Sequence, residues 1–240
     1  MAPSQSTPEL PVPPRPGTSR RGFLGYVVGA STLVVAADLR VGTPAYAAVP
    51  SAPQIAEAYD LEDLQTDAAR PTAQMITISV EKDGTATFAI PRMEVGQGIT
   101  TSTAMIIAEE LDLPVSKVRV SLAPARPELV FNQLTGGSNT TVSTFTPIRV
   151  AAAIAKGALL EAAAIELGSA VALLRSKDGV ITAPGGGSVS YGALAAKAAS
   201  ATTRKVEVTL KPAKVFTVIG TPVRRKDGRD IVTGKKKFAM

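Results

Sequence analysis

The sequence contains no cysteine and no histidine. Without these residues the chain has no disulfide bond, no cysteine ligands for an iron–sulfur cluster, no zinc site of the usual kind and no catalytic triad built on histidine. A cofactor bound by this chain must therefore be held by other groups. Backbone amides, hydroxyl groups and a glutamine side chain remain as candidates.

Aromatic residues are also scarce, at 4% of the chain, and this limits how the positive charge is interpreted. The formal net charge is +6, and the basic residues concentrate near the C-terminus at residues 224–226 and 235–237. Without interleaved aromatic residues or a recognisable binding module, we expect no nucleic-acid partner. With 240 residues and 45% hydrophobic content, the chain has room for one medium domain or two small ones.

The first 47 residues have the layout of a bacterial twin-arginine export signal. A proline-rich leader at 1–18 precedes Arg20 and Arg21, an apolar stretch covers 25–35, and Ala45 and Ala47 flank a tyrosine. A charged region, a modest apolar region and a small-x-small cleavage site are the parts of such a signal. We predict export by the twin-arginine machinery, cleavage after Ala47 and a periplasmic or other extracytoplasmic location. An uncleaved membrane anchor is the alternative.

After a connector at residues 48–74, which has a possible short helix at 55–64, the hydrophobic pattern predicts an α+β domain. Alternating apolar and polar residues indicate strands. The predicted strands lie at 75–80, 85–90, 117–122 and 205–210, with two more around the turn at Asp178 and Gly179. The first two strands, joined by a turn at 82–84, form a predicted β-hairpin.

Three helices are predicted between these strands. The first is capped by Thr100 or Thr101 and ended by Pro114, and the second begins at Thr146 and Pro147 and ends at Gly168. The second helix is rich in alanine, which predicts close packing against a neighbouring element. A third, short helix at 191–199 follows the triple glycine at 185–187, which is interpreted as a flexible turn because no Gly-Lys-Ser/Thr follows.

The most distinctive stretch is an E-V-G-Q-G motif at residues 94–98, between a predicted strand and a predicted helix. Glycine tolerates a positive φ and a close backbone approach. Gly96 and Gly98 would therefore hold Gln97 on a tight turn with its amide directed at a ligand. The alternative interpretation is an ordinary strand-to-helix turn with a solvated glutamine.

A second glycine motif is Thr135, Gly136, Gly137 and Ser138, which opens the alanine-rich segment. Its backbone N–H groups and hydroxyl groups form a plausible cradle for an oxygen-rich or anionic group. The alternative is an ordinary polar loop.

These motifs and the intervening A-E-E-L-D-L-P stretch at residues 108–114 occur in an order and spacing that resemble the molybdenum-binding subunit of the xanthine dehydrogenase and aldehyde oxidase family. Within this family, the sequence most resembles the large subunit of isoquinoline 1-oxidoreductase-type enzymes. The resemblance covers roughly residues 75–240, is strongest over 90–164, and corresponds to the N-terminal portion of such a subunit.

The resemblance implies a molybdopterin cofactor carrying molybdenum, expected in the cytosine dinucleotide form, and oxidation of an aldehyde or N-heterocyclic substrate. Gln97 would bind an oxygen ligand of molybdenum, Gly96 and Gly98 would make room for the cofactor, and the 135–138 motif would line the pterin or its pyrophosphate. No residue of this chain would bind the metal directly. The family's iron–sulfur clusters would lie on a partner subunit.

The family's general base is a glutamate in a late Gly-Glu motif, which this sequence lacks. Glu94 belongs to the glutamine motif, Glu161 and Glu166 lie in the alanine-rich helix, and Glu207 lies in a predicted strand. We therefore expect this chain to be inactive alone.

The family resemblance assigns residues 75–215 to part of a molybdopterin-binding domain. It assigns residues 216–240 to a linker and the start of an α/β hammerhead domain that this chain leaves unfinished, as in a fragment; a basic tail is the alternative. For the whole chain, the alternative function is an exported, non-enzymatic binding or interaction domain in which both glycine motifs are structural.

Overall fold

The structure is a computed structural model that describes residues 33–36, 77–125, 133, 135–200 and 209–238. The connector at 48–74, with its predicted helix, lies outside the described residues. Most of the predicted export signal and of the predicted strand at 205–210 lies outside them too.

The larger sheet has four strands, and their spatial order follows the sequence. They are β1 (Leu33–Ala36), β2 (Thr77–Val80), β3 (Ala86–Ile90) and β4 (Val118–Leu122). β2 is antiparallel to both β1 and β3, whereas β3 and β4 run parallel. A parallel pair needs a crossover connection, which is supplied here by helix α1 (Ile99–Leu111). The predicted hairpin and the predicted strand at 117–122 are confirmed.

Strand β1 lies within the segment predicted as an export signal. Its four residues pair in register with β2, Leu33 opposite Val80 and Ala36 opposite Thr77. Cleavage after Ala47 would remove this strand and leave β2 at the edge of the sheet, with one row of backbone N–H and C=O groups unpaired within the sheet.

Helix α1 and helix α2 (Asn139–Leu167) share one hydrophobic core with the sheet. Phe88 of β3, Ile107 of α1 and Leu159 of α2 are all buried in it. Six of the fourteen buried residues of α2 are alanine, including Ala151, Ala152 and Ala155. Because alanine adds only a methyl group, the backbones of neighbouring elements come close together, and the predicted close packing of this helix is confirmed.

The predicted starts of both long helices are wrong. Helix α2 begins at Asn139, seven residues before the predicted cap at Thr146, and Pro147 lies inside it. A proline inside a helix removes one i to i−4 hydrogen bond, and the surrounding core tolerates that loss. Helix α1 follows Gly98, which has φ 81° and occupies the N-cap position predicted for Thr100 or Thr101.

A smaller antiparallel sheet follows α2 and a 3₁₀ turn at Val171–Leu173. It contains β5 (Arg175–Lys177), β6 (Val180–Thr182) and β7 (Ser188–Ser190), and it leads into α3 (Tyr191–Ser200). The predicted strands, the turn at residues 185–187 and the short helix are confirmed. The buried hydroxyl of Tyr191 donates to the Leu111 carbonyl at 2.7 Å, which joins α3 to the end of α1. Burial also raises the pKa of Tyr191.

The described C-terminal residues, 209–238, contain only two short helical elements. These are a 3₁₀ turn at Ala213–Val215 and α4 (Gly228–Val232), and the segment lies against α1. The start of a hammerhead domain at 216–240 stays a prediction. In the described ranges, no helix has both the length and the apolar character that crossing a membrane requires.

Gly192 of α3 gives a direct test of this packing. A Cβ at this position would lie 2.0 Å from the backbone oxygen of Lys82 in the β2–β3 turn. We expect Gly192→Ala to lower the free energy of unfolding by about 1–3 kcal/mol, since the overlap forces backbone to move. The measurement is urea denaturation followed by circular dichroism.

The matched control is Gly185→Ala, because a Cβ there meets nothing within 4 Å. Its free energy of unfolding should stay within about 0.5 kcal/mol of the wild type. Equal stability of the two variants would contradict the close contact between α3 and the hairpin turn.

Candidate functional site

A buried carboxylate organises the turn at residues 93–98, which we call the Gln97 turn. One oxygen of Glu94 accepts from the backbone N–H groups of Gly96 and Gly98 at 3.0 and 2.9 Å. The other accepts from the N–H and the hydroxyl of Thr100, both at 3.3 Å. A negative charge at the start of α1 also interacts favourably with the helix dipole. Glu94 therefore replaces the predicted threonine cap.

Gln97 lies exposed on this turn, and its side-chain amide bonds to the turn's own backbone. Its Oε1 accepts from Val95 N–H at 2.7 Å, and its Nε2 donates to the Met93 carbonyl at 2.8 Å. Gly96 and Gly98 have φ of 108° and 81°, as their positions in the motif predicted. A primary amide has two donors and two acceptor lone pairs. The amide of Gln97 is thus fixed in orientation and keeps one N–H for a ligand.

The second motif, residues 135–138, forms what we call the Thr135 loop, and it contacts the Gln97 turn directly. Met93 N–H donates to the Thr135 hydroxyl at 2.8 Å across 42 residues of sequence. Gly137 and Ser138 both have a positive φ, 55° and 58°. For Ser138 this left-handed conformation carries strain. The strained turn redirects the chain into α2 at Asn139.

The two motifs line one cavity of about 520 Å³. The described residues that line it supply apolar side chains, glycine, hydroxyl groups and one amide: Val95, Gln97, Ile99, Ser102, Thr135, Gly136, Ser138, Thr140 and Thr141. Four of the predicted site residues, Gln97, Thr135, Gly136 and Ser138, are therefore brought together. Gly96, Gly98 and Gly137 are not part of the lining, and each instead sets a positive φ beside it.

Arg92 directly precedes the Gln97 turn in the sequence and is buried. Its guanidinium donates to the Pro91 carbonyl at 2.8 Å and to the Ser143 hydroxyl at 3.0 Å, which ties the end of β3 to the first turns of α2. Burial lowers the pKa of Arg92 to about 10. Arg92 stays protonated at neutral pH and acts as a fixed cross-link between the two segments that carry the site.

Among the described residues, no charged side chain lines the cavity, and no group of three or more acidic, cysteine or histidine side chains could hold a metal ion. A glutamine N–H, several hydroxyl groups and the start of a long helix are suited to an oxygen-rich, anionic ligand. Such a donor set fits a cofactor that brings its own metal ligands.

No glutamate in the described residues is placed to act as a base in this cavity. Glu94 is buried and already bonded to the Gln97 turn, and Glu166 forms an ion pair with Lys197 on the surface. Glu161 lies on α2 outside the cavity lining, and Glu207 lies outside the described residues.

The C-terminal segment from residue 209 to residue 227, which we call the strap, is fastened to the end of α1. One oxygen of the buried Glu109 accepts from the N–H groups of residues 217, 218 and 219 at 2.7–3.0 Å. Its other oxygen lies 3.2 Å from the ammonium of Lys211. Burial of Glu109 raises the pKa of its carboxyl, but these hydrogen bonds together hold that pKa below its usual range.

Arg149 of α2 strengthens the same attachment. Its guanidinium lies over the rings of Phe145 and Phe216, at 5.3 and 5.1 Å from their centroids, and bonds to Glu110 at 2.6 Å. It also donates to the Lys211 carbonyl at 2.5 Å. Sequence patterns give no sign of these contacts, since they join residues far apart in the chain.

The far end of the strap reaches the Gln97 turn. Arg225 donates to the Gly96 carbonyl at 2.6 Å and lies 3.6 Å from the Glu94 carboxylate. The next residue is Lys226. Its backbone N–H donates to the Thr101 hydroxyl at 3.0 Å, and its ammonium donates to the Val118 carbonyl at 2.6 Å. The strap therefore holds both ends of α1.

Comparison with known proteins agrees with a cofactor-binding domain. A family model described as "Molybdopterin cofactor-binding domain" matches residues 54–233, a range that includes the Gln97 turn, the Thr135 loop and the strap. The chain belongs to this family, as a molybdopterin-binding subunit of the xanthine dehydrogenase type.

Three relatives are similar to parts of the chain. One subunit of nicotinate dehydrogenase from Pseudomonas putida is 38% identical over 49% of this chain and 10% of its own length. A "Membrane-bound aldehyde dehydrogenase [pyrroloquinoline-quinone]" of Gluconacetobacter polyoxogenes is 33% identical over 84% of this chain and 25% of its own length. The beta subunit of isoquinoline 1-oxidoreductase from Brevundimonas diminuta is 32% identical over 71% of this chain and 21% of its own length. The chain thus spans a tenth to a quarter of these relatives.

The central role of Glu94 in the turn can be tested with Glu94→Gln. Glutamine offers one acceptor oxygen where glutamate offers two, and its NH₂ group would face the donors of Thr100. We expect the free energy of unfolding to fall by about 1–3 kcal/mol because buried donors lose their partner. Urea denaturation measures this change in the free energy of unfolding. The control is Glu161→Gln, on the partly exposed side of α2, whose free energy of unfolding should stay near that of the wild type.

The contacts of Asp227 in the strap predict how the stability of the fold depends on pH. The hydrogen bond from Arg225, reinforced by Lys236, lowers the pKa of Asp227 from 3.8 to about 2 in the folded chain. A carboxyl with a lowered folded-state pKa stabilises the fold above its unfolded pKa, and that stabilisation disappears as pH falls through the folded value. We expect the stability difference between wild type and Asp227→Asn to be full above about pH 4 and to vanish near pH 2.

Urea denaturation of both proteins at stepped pH values measures this difference. A difference that stayed constant between pH 6 and pH 2 would contradict the ionised Arg225–Asp227 contact.

Proposed function

We propose that the chain supplies part of the molybdopterin site of a molybdenum hydroxylase, an oxidoreductase that oxidises an aldehyde or N-heteroaromatic compound with oxygen derived from water. The observation that carries this proposal is the union of the Gln97 turn and the Thr135 loop on one cavity, through the Met93 N–H and Thr135 hydroxyl bond. The family membership of the chain supports the identity of the ligand.

Each site residue has a role in this proposal. Gln97 donates its remaining amide N–H to an oxygen of the cofactor, while Gly96 and Gly98 keep the turn in the conformation that presents it. Thr135, Gly136, Gly137 and Ser138 bind the pterin or its pyrophosphate through hydroxyl and backbone N–H groups near the start of α2. When bound, the cofactor supplies two-electron redox chemistry and the activation of water.

The substrate class is inferred from the relatives, whose names include an aldehyde dehydrogenase and an isoquinoline oxidoreductase. Because the described residues offer no carboxylate in the cavity, the proton acceptor of the reaction would come from outside the described part of this chain. Because the chain has no cysteine, iron–sulfur clusters that accept electrons would lie on a partner subunit. We further propose the cytosine dinucleotide form of the cofactor and export by the twin-arginine route. Residues 216–240 would lead into a hammerhead domain.

Metal analysis of the native assembly tests the proposal. We expect molybdenum in stoichiometric amount with the subunit that carries Gln97, and turnover of an aldehyde or N-heterocycle. The name of the Gluconacetobacter relative includes pyrroloquinoline quinone, so the same sample is assayed for a quinone. An assembly without molybdenum would exclude the proposal. If a quinone were present instead, a different redox cofactor would be favoured. If neither were present, a non-enzymatic binding domain would be favoured.

Gln97→Ala in the native assembly tests the role of the amide. Removing a group that bonds to a metal-bound ligand typically costs about 10- to 100-fold in metal affinity or activity. We therefore expect molybdenum content or turnover to fall by about that factor. The matched control is Gln133→Ala, a glutamine outside the cavity lining, which should retain both. Wild-type metal content and turnover in Gln97→Ala would contradict the assigned role.

A further inference from the structure

Arg225 joins the strap to two different atoms of the Gln97 turn. One of its terminal nitrogens donates to the Gly96 carbonyl at 2.6 Å, and the other lies 3.6 Å from the buried Glu94 carboxylate. The carbonyl belongs to the residue immediately before Gln97. The carboxylate accepts the N–H groups on both sides of Gln97. Arg225 therefore contacts the two groups that determine where the turn lies.

The guanidinium is itself held in place by its neighbour in the strap. Asp227 accepts from Arg225 Nε at 3.0 Å and from Nη2 at 3.1 Å, the paired geometry in which arginine and carboxylate bind most specifically. Asp227 is buried and also pairs with the ammonium of Lys236 at 3.2 Å. The orientation of Arg225 is thus fixed from one side while it fixes the turn on the other.

The position of the turn is transmitted directly to the Gln97 amide. Both polar atoms of that side chain bond to backbone within the turn, to Val95 N–H and to the Met93 carbonyl. A displacement of the backbone at Gly96 therefore moves the amide with it. A shift of even 1 Å in a site of this kind has large effects on a bound group.

We propose that Arg225 is a positioning residue for the cofactor site: the Arg225–Asp227 pair clamps the Gln97 turn and so determines where the free amide N–H of Gln97 points. The proposal rests on the cofactor site proposed above for the Gln97 amide. The clamp itself involves only residues of this chain, so its existence can be tested without a bound cofactor.

Arginine suits this position better than lysine on geometric grounds. Its planar fork reaches a carbonyl, a neighbouring carboxylate and the two oxygens of Asp227 at once, whereas a lysine ammonium presents a single charge centre. Arg225→Lys should therefore retain part of the clamp that Arg225→Met loses. The adjacent Arg224 is exposed, so Arg224→Met removes the same charge and side chain without touching the turn. It is the matched control for Arg225→Met.

Two measurements on the native assembly test the clamp. The first is hydrogen–deuterium exchange of peptides covering residues 94–101, where the Gly96, Gly98 and Thr100 amides bond to Glu94. We expect about fivefold to tenfold faster exchange in Arg225→Met, since the loss of hydrogen bonds to charged groups loosens the turn. Arg225→Lys should fall in between, and Arg224→Met should match the wild type. The second is molybdenum retained after dialysis, which should drop only in the Arg225 variants.

The two readouts separate this proposal from the proposed function. Faster exchange and lost molybdenum in Arg225→Met, with Arg224→Met unchanged, would support the clamp. Unchanged exchange in Arg225→Met would overturn it, whatever the metal content. Faster exchange with normal molybdenum and normal turnover would overturn the positioning role. A wild type without molybdenum overturns the proposed function, and with it the cofactor role of the clamp, while exchange still reports whether the clamp exists.

Discussion

The buried carboxylate of Glu94 is the interaction on which the rest of the site depends. A charged group removed from water must be compensated by hydrogen bonds, or it destabilises the fold. Here four donors from three residues compensate it, and those residues are the ones that shape the turn and begin α1. The turn is therefore rigid for the same reason that the buried charge is tolerated. Gln97 is the exposed side chain of this turn, and Glu94 is the buried group that fixes the turn's backbone.

The described residues that line the cavity next to the Gln97 turn are all neutral. The polar ones among them are serine and threonine residues and one glutamine. Such groups recognise oxygen atoms by direction and number of hydrogen bonds rather than by net charge. The nearby charges are already paired: Glu94 with backbone, Arg225 with Asp227. The site thus favours a large, oxygen-rich ligand that arrives with its metal already coordinated.

Local patterns predicted most of the elements correctly. Alternation identified the hairpin and β4, and glycine chemistry identified the positive φ of Gly96 and Gly98, because these features depend on neighbours in the sequence. The start of α2 was missed, since Thr146 and Pro147 look like a better helix start than Asn139. The actual start follows the Thr135 loop, which bonds to Met93, 42 residues earlier, and local patterns do not contain such a contact. Glu109 and Arg225 were missed for the same reason: their partners come from the opposite end of the domain.

The long span of the Arg225 contact has a consequence for the order in which the protein matures. Arg225 and Gly96 are 129 residues apart, and closing so long a loop is favourable only after the intervening helices and strands have formed. During synthesis the Gln97 turn leaves the ribosome well before the strap that holds it. A ligand that needs a rigid turn would therefore bind only to a completed domain, so its loading would be a late event that depends on correct folding.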